Sequence, residues 1–441
     1  MVVIEQKRGE ARLMLMKKAY MRIQQAGYIL MSTLLIVGGS PAADWPQFLG
    51  PNRDGASADS EQMIKGFAFS GVKFRWKHPV GTGFAGPVVA GNRVILFHRI
   101  NDQAIVECVD AATGTEEWRY TYANAFKDSF GFDNGPRACP TVAQGKVIIH
   151  GAEGTVQALD LTTGKRLWGF DTVKELNSPQ GFFGRACAPL VTEGKVIMEA
   201  GGSNSKGAAG LIALSIDDGR ILWQCLKDEA SYAAPILKHG GGATFPAIIA
   251  WMRNDLVVVN ALDGGVKFQQ RLRSEADASV NAATPIWCGE DKLFLTACYD
   301  VGASLWQWKP EGKFTRLWKK EDVLDSHYST PVYYDGYLYG FHGRQEFGQS
   351  IRCVRAQDGK VMWESGRVAG GTLLRVHDTL LVLTEAGELW LVDASPTKFN
   401  RHGQEQILRG GHRSHGAFSN GVFFARDDRQ VVAVDLRPRE D

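Results

Sequence analysis

The sequence is punctuated by Gly-x-x-x-Trp, and this constrains the possible fold more than any other feature. Gly114–Trp118 follows Asp110, Gly164–Trp168 follows Asp160, Gly219–Trp223 follows Asp217 and Gly359–Trp363 follows Asp358. Gly264–Phe268 is a variant ending in Phe, and Gly312–Trp318 is a form stretched by two residues. Each Gly stands where a tight hairpin needs positive φ, and each aromatic falls on the strand after it. A second marker keeps the same phase. Pro87, Pro140, Pro189, Pro235, Pro285 and Pro331 open short β runs 46 to 53 residues apart, each 28 to 34 residues before the next aromatic. Proline suits the first residue of a strand, where its missing donor does little harm.

Each unit reads as four strands. Between Pro140 and Trp168 they are Thr141-Val142, Lys146–Ile149, Thr155–Leu159 and Arg166–Trp168, with turns between them. Four short strands at a period of about 45 residues describe a propeller blade. Two degenerate units follow, one from Thr372 to Phe399 and a last from Gly416 to Val434 that lacks its fourth strand. Lys73–Trp76 precedes the first unit as a fourth strand without a blade. It is expected to complete the last blade, which closes the ring and removes a free sheet edge. The expected fold is all-β: an eight-bladed β-propeller over residues 71–437, closed by an N-terminal strand, with seven blades as the alternative. The seam tryptophans are expected to serve stability.

Residues 1–42 read as a secretory signal. Lys7, Arg8, Arg12, Lys17, Lys18 and Arg22 precede an apolar run from Ala26 to Gly38, and Ser40-Pro41-Ala42 is a small-x-small cleavage pattern. The run is short for a membrane helix, which needs about 20 residues. An uncleaved anchor is the alternative, and Met16 and Met21 are alternative starts. Residues 43–70 form a lead-in to the ring. Cleavage would remove six of the 50 basic and two of the 48 acidic residues, turning a net charge of +2 into −2. No basic field then argues for nucleic acid. The seven cysteines show no CxxC and no zinc-like spacing. They read as small buried hydrophobes, with one or two disulfides left open.

The Asp-x-x-x-Gly-x-x-x-Trp units resemble the tryptophan-docking repeats of pyrroloquinoline-quinone (PQQ) propellers over about residues 71–437. The segment Asp44-Trp45-Pro46-Gln47-Phe48-Leu49-Gly50-Pro51-Asn52-Arg53-Asp54-Gly55 and the run Leu391–Pro396 are similar to a bacterial exported PQQ-like group. That resemblance implies an exported chain, periplasmic or secreted, of mostly unassigned role. Resemblance to quinoprotein dehydrogenases would imply PQQ with Ca²⁺ beside a vicinal cysteine pair. This sequence has no adjacent cysteines, and Asp300 is a lone acidic loop residue with no ligand motif around it. Resemblance to the propeller lipoprotein of outer-membrane assembly would imply a non-catalytic role and a lipidated cysteine after the signal; none stands near Ala43.

A propeller binds on one rim, where loops before the innermost strands meet loops between strands two and three. Two pre-proline connections are long and aromatic, Phe126–Arg137 and Asn177–Arg185. Taking the positions three and four before each proline gives Phe84, Arg137, Arg185, Tyr232, Asn281, His327 and Tyr328, with His412 and Arg413 at the matching place in the last unit. The set is cationic and aromatic without a carboxylate, which suits a small anion or a flat polycarboxylate such as PQQ. The same groups could instead pair with Asp128 and Asp133. Gly201–Gly207 lacks the phosphate-cradle pattern and reads as a hairpin connection. The pair His412 and His415 reads as structural or channel-lining, and no metal site is expected. The expected function is a monomeric, non-catalytic exported propeller that binds a protein, glycan or small anion on its rim. It should bind no nucleic acid and should not stay inserted in a membrane. The alternative is a PQQ-dependent alcohol or aldose dehydrogenase.

Overall fold

A computed structural model describes residues 44–58, 62–67, 71–240, 242–411 and 413–438. The expected signal segment and His412 lie outside these residues. Within them the chain forms eight four-stranded antiparallel sheets, each in sequential strand order except the last. That sheet joins Ala417–Ser419, Val422–Arg426 and Gln430–Asp435 to Lys73–Pro79 from the start of the chain. The ring is therefore an eight-bladed propeller closed by the N-terminal strand, and the seven-blade alternative falls. Blades 1 to 7 run in chain order from Val88, and blade 8 is the closing one.

The repeat works through one local device. In blade 1 the Asp110 carboxylate accepts N–H bonds from Ala112 and Thr113 at 3.1 and 2.8 Å, which fixes the turn. Gly114 then takes φ +72°. A Cβ at Gly114 would also lie 2.7 Å from the indole of Trp76, which comes from the blade before. Glycine is required here twice, once for the backbone and once for the contact. The same indole donates its N–H to the Ala111 carbonyl at 2.9 Å. Five further seams repeat the bond: Trp118 to Leu161, Trp168 to Ile216, Trp223 to Ala261, Trp318 to Ala356 and Trp363 to Ser395. In every blade a bulge in the outermost strand immediately precedes this docking position. The extra residue bends the strand and raises its twist, which turns the aromatic toward the next blade.

Two seams lack the tryptophan, and both are filled otherwise. Between blades 4 and 5, Phe268 meets Phe314 edge-on at 5.9 Å and Phe245 covers Gly312. Between blades 7 and 8 the docking position is Gly403. The lead-in supplies the missing parts, since a Cβ on Gly403 would lie 2.6 Å from the Phe67 ring. The Leu436 carbonyl, placed where other blades receive an indole, takes the Ile64 N–H at 2.8 Å.

The rest of the lead-in crosses the ring at its innermost strands. Trp45 pairs with Val89 of blade 1, the Pro46 carbonyl accepts from Val142 of blade 2, and Gly55 accepts from Arg375 of blade 7. Arg53 is buried and donates to the carbonyls of Ala188, Pro189 and Pro235 at blades 3 and 4. Desolvation lowers its pKa to about 10, so it stays charged. All seven cysteines are free thiols, six of them buried and Cys225 half-buried. Gly201–Gly207 lies in the hairpin formed by Lys195–Asn204 and Gly207–Ser215, as its sequence suggests.

The closing seam also carries a buried charge cluster. Glu107 of blade 1 bonds His78 of the closing strand at 2.8 Å and Arg119 at 2.7 Å. Burial alone would raise the Glu107 pKa, but His78, His98 and Arg119 outweigh it and hold it at about 2. His78 is raised, chiefly by its bond to Glu107.

These contacts predict the effect of three substitutions. Trp168→Ala should cost roughly 3–5 kcal/mol in urea unfolding, and Phe67→Ala should also destabilise although it lies outside the repeats. A Phe67→Ala midpoint equal to wild type would refute the seam role. The depressed Glu107 pKa means its contribution is full above 4.5 and is lost as pH falls toward 2. The stability gap between wild type and Glu107→Gln should therefore narrow over that interval. The His78 share has the opposite sense and fades as pH rises through its elevated pKa.

Candidate functional site

The residues before each innermost strand sort by position. Tyr232 and Ala233 both donate their N–H groups to the Asn281 carbonyl of the next blade, at 3.0 Å each. Phe84 and Ala85 do the same to Pro136, at 2.8 and 3.0 Å. At Pro136 and Asn281 the residue four before the proline thus spends its carbonyl on the preceding blade, and the residue three before lines the cavity. The inward set is Phe84, Arg137, Ala186, Tyr232, Ala282 and Tyr328, with Arg413 in the last blade.

These side chains line a cavity of about 430 Å³. Phe48 of the lead-in belongs to its wall and meets His415 edge-on at 4.8 Å. Burial lowers the His415 pKa to about 4, so the ring is neutral. The two long connections add Phe130, Phe132, Phe182 and Phe183. Phe130 lies 5.2 Å from Phe183, and Phe183 lies 5.5 Å from Tyr232. The Tyr232 hydroxyl accepts the Phe183 N–H at 2.8 Å, which ties the loop down. Yet Phe130 and Phe132 remain 54% and 53% exposed, and Phe347 on the facing loop is 72% exposed.

Of the expected residues, Arg137, Tyr232, His327, Tyr328 and Arg413 meet at the cavity. Arg185 and Asn281 do not line it. Arg185 faces away and donates to the Glu153 carbonyl at 3.1 Å and to the Ser178 carbonyl, bracing its own loop. Asn281 is buried and donates to the Met252 carbonyl at 2.8 Å. Both stand four before their proline. His327 shares that position but still reaches the cavity, held between Tyr299 at 2.6 Å and Gln345 at 2.5 Å.

The expectation of a carboxylate-free cationic ring is corrected. Arg137 pairs with Asp128 at 3.1 Å, and both side chains are buried. Arg413 pairs with Glu385 at 3.0 Å, and Tyr328 donates to the same carboxylate at 2.6 Å. Arg344 pairs with Glu346 at 3.3 Å and lies over the Tyr299 ring. The cavity is therefore aromatic and charge-compensated. Glu385, Tyr299 and the Arg344–Glu346 turn all sit on loops between strands two and three. Those loops are expected at the rim, and reading each for charged and aromatic residues would have found them. Asp300 is an exposed turn residue at φ +64°.

The outer membrane protein assembly factor BamB family profile matches residues 70–179 and 177–365, more than half of the chain. The chain belongs to this family. BamB of Yersinia pestis is 23% identical over 376 residues, covering 80% of this chain and 86% of that protein. BamB of Moraxella catarrhalis has the same fold, with a TM-score of 0.61 at 14% identity over 84% of this chain and 99% of that one. Quinohemoprotein alcohol dehydrogenase from Comamonas testosteroni also reaches 0.61, at 14% identity over 92% of this chain and 82% of that one. In sequence, quinohemoprotein alcohol dehydrogenase ADH IIB of Pseudomonas putida is 32% identical over 126 residues, only 17% of that protein. The fold is thus common to BamB propellers and quinoprotein dehydrogenases, while the family match and the longer alignment lie with BamB.

Removing Arg137 from a BamB-type rim built this way leaves Asp128 buried without its cation. Arg137→Met should lower the unfolding free energy by roughly 3–5 kcal/mol. Arg137→Met with Asp128→Asn should recover part of that loss. An Arg137→Met variant as stable as wild type would show that the pair does not hold the loop.

Proposed function

We propose that this chain is an exported, non-catalytic BamB-type propeller, working on the periplasmic side of the envelope, that docks a protein partner on the rim around the aromatic cavity. The carrying observation is the contrast between exposed Phe130 and Phe132 and arginines that are already paired. A small anion would have to displace a carboxylate from Arg137, Arg344 or Arg413. An apolar side chain from a partner displaces only water, and burying each Phe in such a contact contributes about 1.5–3 kcal/mol. Solvent-exposed aromatics around a concave apolar centre are the usual anchors of a protein interface. The relatives' description as assembly factors supports a protein partner over a glycan or a small anion. The PQQ reading has the weaker support, since the match to ADH IIB covers 27% of this chain against 80% for BamB of Yersinia pestis.

A photo-crosslinking residue at Phe132 or Phe347 should capture a defined envelope protein in cells. The same probe at Leu222, exposed on an outer strand, should not. Phe130→Asp should abolish capture at position 132 and leave the melting temperature within a few degrees. Equal capture at all three sites would defeat the proposal. Dye-linked alcohol oxidation after incubation with PQQ and Ca²⁺ would move the chain to the dehydrogenase class.

A further inference from the structure

We propose that the outer strands of blades 4 and 5 form a second surface, distinct from the rim, that docks onto an anionic phospholipid bilayer. The two strands, Val266–Arg271 and Lys313–Lys320, are neighbours in the ring. Together they carry Lys267, Arg271, Lys313, Arg316, Lys319 and Lys320, and neither strand contains Asp or Glu. Other charged outer strands mix signs: Glu116–Ala123 holds two glutamates with Arg119, and Lys360–Glu364 and Arg401–Gln406 each hold one acid. The closing strand is basic, but its Arg75 is paired with Asp435 at 3.2 Å.

Several of the cations of blades 4 and 5 rest on aromatic faces or a backbone carbonyl. Arg316 lies over the Trp306 ring at 5.5 Å and Lys267 over Phe245 at 5.6 Å. Lys320 donates to the Asp358 backbone carbonyl at 2.8 Å. The nearby acids sit at the margins, and the Asp358 carboxylate beside Lys320 is already paired with Arg355 at 2.5 Å. Asp255 lies opposite Arg271 and already accepts from Gln269 at 2.6 Å. Asp263 and Glu311 lie in turns, and Glu321 follows the strand end. With a mature chain near neutrality, this is a local field and not a consequence of net charge.

The patch is also amphipathic. Leu317 is 48% exposed, Val266 is 43% exposed and Leu262, in the turn before, is 51% exposed. Lysine on an edge strand is a known guard against strand pairing. That guard accounts for a few charges, but not for the exclusion of acids from two adjacent strands or for exposed aliphatics among the cations. None of these residues lines the aromatic cavity. Flexible cations mixed with shallow aliphatic contacts match a headgroup layer, where each Lys or Arg contributes separately and the stems reach the acyl boundary.

The test is flotation of the full chain with phosphatidylcholine vesicles, with and without phosphatidylglycerol. Lys267→Glu/Lys313→Glu/Lys319→Glu is compared with Lys165→Glu/Arg166→Glu/Arg220→Glu on blades 2 and 3, which changes net charge equally. Binding should require phosphatidylglycerol and weaken with salt. The patch variant should partition roughly a hundredfold less, while the control stays within a few-fold of wild type. Leu317→Ser should weaken the binding that survives high salt. Thermal melts accompany each variant, and Lys→Gln versions replace any that fail to melt cooperatively. Equal loss in both triple variants, full retention in the patch variant, or patch-dependent binding to polyglutamate without vesicle binding would each overturn the proposal.

Discussion

An indole laid on a glycine turn, with its N–H on a carbonyl of the next blade, is the contact the rest of this ring depends on. A single four-stranded sheet of this size cannot bury both faces, so each blade is stable only against its neighbours. The seam must therefore recur at nearly fixed geometry all the way round. Five seams do this with tryptophan over a glycine, and in a sixth Trp363 bonds Ser395 in a turn without one. The other two keep the aromatic contact using Phe245 or Phe67. The bulge before the docking position persists in all eight blades, including the two without tryptophan. Geometry is thus shared more strictly than residue type.

This explains what was legible in the sequence. The device needs Gly for two reasons and an aromatic for one, so it leaves a spaced signature, and blade count, strand order and closure follow from that signature. The lead-in is different. Asp44–Gly55 is recognisable as a motif by resemblance, yet its contacts are to backbone groups of five blades distant in sequence. Hydrogen bonds to carbonyls leave no pattern in the partner's residues. Phe67 is likewise invisible, because the partner that demands it is a glycine some 340 positions away.

The site shows the same divide. Position three before the proline lines the cavity in blades 1 to 6, and chain periodicity reveals this. Arg137, Tyr232, Tyr328 and Arg413 could therefore be placed from spacing. Their electrostatic state could not. Glu385 compensates Arg413 from a different loop of a different blade, and Asp128 is folded under its own loop by N–H bonds from Phe130 and Phe132. A list of cations is not a positive surface until their partners are known. Here pairing converts an apparently anion-seeking rim into an aromatic one.

The lead-in and closing strand have a consequence for how the molecule comes into being. The residues that finish the ring are at its beginning: Lys73 pairs with Asp435, and Ile64 bonds Leu436. A chain made from its N-terminus therefore carries the clasp long before the opening it fills exists. Trp45 and Trp76 can meet blade 1 early, but Phe67 must wait as an unpartnered apolar group for blade 7, and strand Lys73–Pro79 waits for Gln430–Asp435. Such long-range closure is slow and exposes surface that can be misdirected to other chains. Early blades can stack as they appear, but the final lock is a property of the complete polypeptide. A chain ended before its last blade would thus lose its first strand's place as well as its own missing part.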